Sequence, residues 1–239
     1  MGEARRILGV VFDAVGTLLL LREPVGETYT RLAAAHGVTL PAGRLDEAFR
    51  RVLAEAKPNV HPGMTLALVA ERERGWWRER VRETFRAADG MAQFDDFDAF
   101  FGGLWAHYAE ASAWRLASGA LACLDALAAR GLRLGVLSNF DQRLRRLLAA
   151  LGLAERFDVI TLPADAGAAK PARAIFEHCL GQIGLAAASV LYVGDRATLD
   201  VMAARQAGLL ALDVGGLSDL SALPDMIDRI ERECGEAGR

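Results

Sequence analysis

Five short runs of apolar, largely β-branched residues punctuate the chain: ILGVVF (7–12), LRLGVL (132–137), FDVITL (157–162), SVLYVG (189–194) and LLALDV (209–214). Runs of this length between more polar segments read as buried strands. Three stretches with helical periodicity separate the last four: LRRLLAALGL (144–153), ARAIFEHCLGQIGL (172–185) and LDVMAARQAG (199–208). A further stretch, LASGALACLDALAARG (116–131), precedes the second run, and its closing Gly131 suits a helix C-terminus. Strands that alternate with helices predict an α/β core, a doubly wound, Rossmann-like parallel sheet with helices on both faces.

Residues 20–115 break this alternation. TYTRLAAAHG, LDEAFRRVLAEAK, LVAERERGWWRERVRETFRAA and FDDFDAFFGGLWAHYAEA carry amphipathic helical patterns, and no strand stands out among them. An insertion this long exceeds any ordinary connection and reads as a small domain. The expected organisation is a core of 1–19 and 116–239, with a helical domain of 20–115 inserted after the first strand.

Composition narrows the function classes. The 239 residues are 52% hydrophobic, enough for a sizeable core, and the net charge of −3 leaves no basic footprint for nucleic acid. No uncharged apolar stretch is long enough for a membrane span. The start MGEARRILGVVFDAVG carries Asp13 in its apolar part, lacks a small-residue cleavage site, and misses the Ser/Thr of a myristoylation signal, so a cytoplasmic protein is expected. Cys123, Cys179 and Cys234 are odd in number and far apart, which suits reduced thiols and no zinc site. Of 28 basic residues only Lys57 and Lys170 are lysines. The two lysines are candidates for places where arginine cannot substitute, set against chance retention.

In a doubly wound sheet, ligands bind outside the carboxyl ends of the strands. The first strand ends in Asp13, with Thr17 in the following turn; the second ends in Ser138 and Asn139. The third leads to Lys170, before Pro171, and the fourth ends in Gly194 and Asp195, with Asp200 opening the next helix. Asp13 and Asp195 are hard oxygen ligands suited to one Mg²⁺. Thr17 and Ser138 offer hydroxyl donors, turn N–H groups add more, and Lys170 adds a positive charge. Such a set cradles a phosphoryl group under attack by a carboxylate.

The segments FDAVGTL, LSNFD, KPARAIF and VGDRATLD resemble the four ordered motifs of the haloacid dehalogenase-like hydrolase superfamily. Their spacing resembles subfamily IA, whose helical C1 cap lies between the first two motifs. LREPVGETYTRLAAAHGV is similar to the branch named after a rhythmically expressed gene product. The resemblance implies Asp13 as nucleophile, Ser138 (with Thr17 and Asn139) as substrate-binding, and Lys170 as the charge that neutralises nucleophile and phosphate. It further implies Mg²⁺ on Asp13, Asp195 and the backbone carbonyl of Val15, with Asp200 supporting Lys170 or the metal waters. The implied substrate is a small phosphorylated metabolite, and the implied assembly a monomer or homodimer.

Val15 departs from that pattern, because phosphatases of the family usually place there a second Asp that protonates the leaving group. Loss of a general acid–base group is worth ~10²–10⁴ in rate. Four readings stay open. The chain is a phosphatase for substrates with good leaving groups, or one that borrows an acid from the cap. It is a dehalogenase, whose halide leaves without a proton; those relatives lack the Asp that is present here as Asp195. It is a phosphonatase-like hydrolase with Lys57 as a Schiff-base lysine, although KPNVHPG reads equally well as a helix end. Or it is an impaired phosphate- or protein-binding module, against which the retained motif residues speak. Trp76, Trp77, Trp105 and Trp114 are expected in packing roles, and His36, His61, His107 and His178 show no ligand spacing. Asp95, Asp96 and Asp98 read as a solvated acidic run, and 71–83 as a solvated helix face.

Overall fold

The computed structural model describes residues 6–237, with side chains through Glu233; the Cys234 side chain and the first five residues lie outside the described set. The chain divides into two compact units. One runs through Leu20 and resumes at Leu116; the other is Leu21–Arg115.

The first unit begins with β1 (Gly9–Phe12). A tight turn leads to β2 (Leu19–Leu21), which pairs with β3 (Trp114–Leu116) in a two-stranded sheet. These two strands are the places where the chain leaves and rejoins the core. They correct the expectation that 20–115 holds no strand: three-residue strands are too short to show a period.

The main sheet adds β4 (Arg133–Leu137), β5 (Val159–Thr161), β6 (Val190–Gly194) and β7 (Leu210–Asp213), in the order β5-β4-β1-β6-β7. Every pairing is parallel, with Gly9 opposite both Arg133 and Val190. The five apolar runs are therefore the five strands of a parallel α/β sheet. Residues of β1, β4 and β6 are almost wholly buried, as a sheet covered on both faces requires.

The second unit holds α1 (Val25–Ala34), α2 (Ala42–Glu55), α3 (Leu66–Ala88) and α4 (Phe97–His107). They close around Tyr29, Leu45, Val81, Phe85, Phe100 and Leu104. Trp114 is buried and donates its indole N–H to the Tyr108 carbonyl; Trp76 donates to the Lys57 carbonyl, and Trp105 lies against Phe101. Asp95, Asp96 and Asp98 are exposed, as a solvated run should be; Asp96 also caps α4 and Asp98 pairs with Arg78. The stretch 71–83 is less solvated than its charge suggests. Glu73 is buried, Arg74 lies over the Phe101 ring, Arg78 and Arg82 over Phe97, and Arg80 over Trp76. A planar guanidinium stacks on an aromatic face, which helps explain the preference for arginine here.

Back in the first unit, α5 (Ala120–Ala129), α6 (Arg143–Ala150), α7 (Pro163–Ala166) and α8 (Arg173–Ile183) alternate with the strands. α5 starts later than the sequence pattern suggests, because Leu116 belongs to β3 and Gly119 takes a positive φ of 73°. The helix expected over 199–208 is a π-helical turn, Ala197–Met202, followed by the short α9 (Ala203–Gln206). A C-terminal helix, α10 (Leu223–Ala237), completes the fold, and its Glu231 accepts a hydrogen bond from the Ile7 N–H. Among the described residues no helix is long and apolar enough to cross a membrane.

Cys123 and Cys179 are free thiols buried in the core of this unit. Burial pushes the Cys123 thiol up to about 12 and the Cys179 thiol up to about 11. Both keep their protons in the folded state at pH values where the unfolded thiols, near 8.5, ionise. Their contribution to stability is therefore complete below about pH 8.5 and is lost as pH rises from there towards 11–12, by up to about 1.4 kcal/mol per pH unit for each thiol. Urea melts between pH 8 and 11 should show a shallower decline for the Cys123→Ala/Cys179→Ala variant than for wild type. Peptide mapping after iodoacetamide treatment of native protein should leave both residues unmodified.

Candidate active site

Asp13 sits one residue beyond β1, where its N–H donates to the Val193 carbonyl. The chain then turns sharply: the Ala14 carbonyl accepts from the N–H groups of Leu18 and Leu19 at 2.9 and 2.8 Å. Gly16 carries the turn with φ near +100°. A Cβ there would come within 2.4 Å of the Asp195 Oδ2, so this glycine is required both by its backbone and by the carboxylate beside it. Val15 is half-buried and bridges Leu19. The bridge uses the N–H groups of Gly16 and Leu19, which leaves Val15's own carbonyl out of it.

The centre of the site is the Lys170 ammonium, 4% exposed. It donates to Asp13 Oδ1 at 2.7 Å, Asp200 Oδ1 at 2.6 Å and the Tyr192 hydroxyl at 2.9 Å. Burial works against the charged amine, but the two carboxylates outweigh it and hold the Lys170 pKa above its ordinary value. Burial pushes the Asp13 carboxyl up; Lys170 pulls it back and the Asp200 charge adds to the rise. Asp200 is held from below as well. Its Oδ2 accepts from the Arg196 N–H at 3.0 Å, which fixes it within the π-helical turn. Gly194 lets that carboxylate approach, since a Cβ there would stand 2.5 Å from the Asp200 Cβ.

Asn139 clamps the lysine's backbone. Its Nδ2 donates to the Lys170 carbonyl at 2.9 Å and its Oδ1 accepts from the Lys170 N–H at 2.8 Å. The sequence places Asn139 with the substrate-binding residues; the geometry gives its amide a positioning task, because a planar amide matches the donor and acceptor of one backbone residue. Ser138 Oγ accepts from the Phe140 N–H at 3.3 Å, leaving its proton for another acceptor. Thr17 Oγ1 is buried and has no hydrogen-bond partner. Tyr192 was not anticipated; its only trace in the sequence is one hydroxyl-bearing residue inside an otherwise aliphatic strand.

Asp195 completes the group. Partial burial and the charges of Asp13 and Asp200 push its carboxyl up to about 6. Asp13, Asp195 and Asp200 each offer an oxygen, and these lie within 4.8 Å of one another. Three carboxylates face one ammonium, an excess of negative charge that a divalent cation would balance. All-oxygen donors suit a hard ion such as Mg²⁺. The residues thus fit a metal site. Lys57, by contrast, is exposed just beyond the end of α2.

Fold and site together define a doubly wound α/β core with three clustered carboxylates around one lysine. The chain belongs to the haloacid dehalogenase-like hydrolases: residues 7–208 match that family's sequence profile. It is 32% identical over 222 residues to haloacid dehalogenase-like hydrolase domain-containing protein 3 of Mus musculus, covering 92% of this chain and 87% of that one. It is 26% identical over 216 residues to the rhythmically expressed gene 2 protein of Drosophila melanogaster, covering 87% and 83%. The solved structure of L-2-haloacid dehalogenase from Xanthobacter autotrophicus is alike in fold, with a TM-score of 0.64 over 93% of this chain and 83% of that one, at 24% identity.

Lys170→Met tests the charge balance. It leaves two buried carboxylates without their cation, and breaking a buried pair in this way costs about 3–5 kcal/mol. Chemical denaturation at pH 7 should show a loss of that size. A loss under 1 kcal/mol would mean that the carboxylates do not depend on this ammonium.

Proposed function

We propose that the chain is a Mg²⁺-dependent phosphatase for small phosphorylated metabolites with good leaving groups, acting through an aspartyl-phosphate on Asp13. The observation that carries this reading is the buried Lys170 ammonium held between Asp13 and Asp200, with Asp195 alongside. A nucleophilic carboxylate, a fixed cation and a set of hard oxygen ligands answer the needs of phosphoryl transfer. The retention of Asp195 within the acidic group favours this reading over a dehalogenase. The exposure of Lys57 gives a Schiff-base mechanism no desolvated amine. Buried free thiols agree with a cytoplasmic setting.

In this scheme an Asp13 carboxylate oxygen attacks phosphorus. The bond from phosphorus to the leaving oxygen breaks, and its electron pair departs with that oxygen. The hydroxyls of Ser138 and Thr17 donate to the phosphoryl oxygens, and Lys170 holds the nucleophile in place with its charge. Asp13, Asp195 and the Val15 carbonyl would hold Mg²⁺, which when bound offsets the negative charge of the phosphoryl group. Water then attacks the phosphorus of the phosphorylated Asp13. The bond to Asp13 breaks, its carboxylate is restored, inorganic phosphate leaves, and the water proton passes to solvent.

Val15 sets the substrate preference. Its isopropyl group cannot protonate a leaving oxygen, so the oxygen must be stable as an anion. Aryl and acyl phosphates meet this condition; alkyl phosphates do not.

Two predictions follow from the scheme. Asp13→Asn should abolish turnover of the best substrate in a phosphate-ester panel run with and without Mg²⁺, with an unchanged circular dichroism spectrum. Retained activity would remove Asp13 as nucleophile.

Across esters of graded leaving-group pKa, the wild-type rate should fall steeply as the pKa rises. Val15→Asp should flatten that slope and raise alkyl phosphate hydrolysis by a factor approaching ~10²–10⁴. A flat dependence in wild type would show that another group already donates the proton.

A further inference from the structure

An ammonium has three N–H donors. All three donors of Lys170 are engaged by this chain: one on Asp13, one on Asp200 and one on Tyr192. Asp13 and Asp200 belong to the motifs already described, but Tyr192 does not. Its ring is fully buried, packed edge-on against Phe176 with centroids 5.5 Å apart. Its hydroxyl accepts from Lys170 and lies 3.0 Å from Asp200 Oδ1 and 3.2 Å from the Leu137 carbonyl, either of which takes its single proton. Tyr192 therefore connects β6, the end of β4, the π-helical turn and the lysine through one oxygen atom.

We propose that Tyr192 is a positioning residue for the reaction. Its hydroxyl fixes the rotation of the Lys170 ammonium, so that one N–H stays on Asp13 while the nucleophile attacks. The catalytic part of the proposal rests on the phosphatase reading; the positioning part rests on the geometry alone. Without the hydroxyl, one buried N–H has no acceptor. The ammonium then turns among two carboxylates or admits water, and the orientation of Asp13 is no longer held. Tyr192 touches no substrate in this scheme, so its loss acts on turnover and leaves substrate binding alone.

The composition provides a direct test, because Lys57 and Lys170 are the only lysines. Protein labelled with ¹⁵N at the lysine side chain has two ammonium groups, one exposed and one buried. At neutral pH and low temperature the Lys170 ammonium of wild type should exchange its protons slowly with water. In Tyr192→Phe, which keeps the ring, exchange should quicken by about tenfold or more as the third bond is lost. With Mg²⁺ and an aryl phosphate, kcat should fall on the order of 10- to 100-fold through loss of orientation, while KM stays within about twofold of wild type. Phe176→Leu loosens the same packing but keeps the hydroxyl. It should lower the midpoint of unfolding and leave the ammonium exchange and kcat at their wild-type values.

Unchanged ammonium exchange in Tyr192→Phe, or fast exchange already in wild type, would overturn the proposal. Faster exchange with unchanged kcat would overturn the catalytic part. Equal effects from Phe176→Leu would make the residue's role one of packing and overturn the proposal as well. If wild type hydrolyses no phosphate ester, the phosphatase reading fails, and the ammonium signal alone decides whether Tyr192 holds Lys170.

Discussion

One buried ammonium organises the candidate site. Lys170 lies among carboxylates that would otherwise repel one another and face a large desolvation penalty. Each of its acceptors comes from a different part of the chain: Asp13 after β1, Tyr192 within β6 and Asp200 in the π-helical turn. The strands must be in register before these groups can meet, and once they meet the charges oppose any slip. The same constraint explains several local features. Gly16 and Gly194 lack side chains because Asp195 and Asp200 fill the space where a Cβ would stand. Asn139 engages both backbone groups of the lysine because the ammonium can be placed only if its own main chain is fixed.

The arrangement is also unbalanced. Two of the three carboxylates pair with the lysine, while Asp195 has its carboxyl raised by partial burial and by the charges of Asp13 and Asp200. Asp195 is the exposed member of the group, with Asp13 and Asp200 buried behind it. A surplus of this kind fits a cation site.

Much of this was legible in the sequence, for identifiable reasons. The five parallel strands are continuous apolar runs because both faces of the sheet are covered. The topology of such a sheet then brings Asp13, Ser138, Lys170, Asp195 and Asp200 to one edge, although they are spread along most of the chain. What escaped was short, or depended on a single atom. β2 and β3 have three residues each, too few for a pattern. α10, rich in charged residues, extends beyond the last apolar run. Asn139 looked like a ligand-facing polar residue, and only the geometry shows its amide turned onto Lys170. Tyr192 left no signal of its own within the apolar run 189–194, because its ring is core and only the hydroxyl belongs to the site. Glu73 looked solvated by composition yet is buried, a distinction that charge patterning along a helix cannot make.

The pairing of β2 with β3 bears on how the chain folds. The central strand β1 must find β4 and β6 roughly 120 and 180 residues further along, a high contact order that slows folding through loop-closure entropy. Most of the first interval is the helical unit, and β2 and β3 bring its two ends together. Once the helical unit has folded and that ribbon has closed, the search for β4 is that of a much shorter loop. The inserted unit then acts as a splint that reduces the effective length of the chain. On this view, shortening or rewriting the insertion would change the refolding rate of the core more than its equilibrium stability, provided the ribbon at its base is kept.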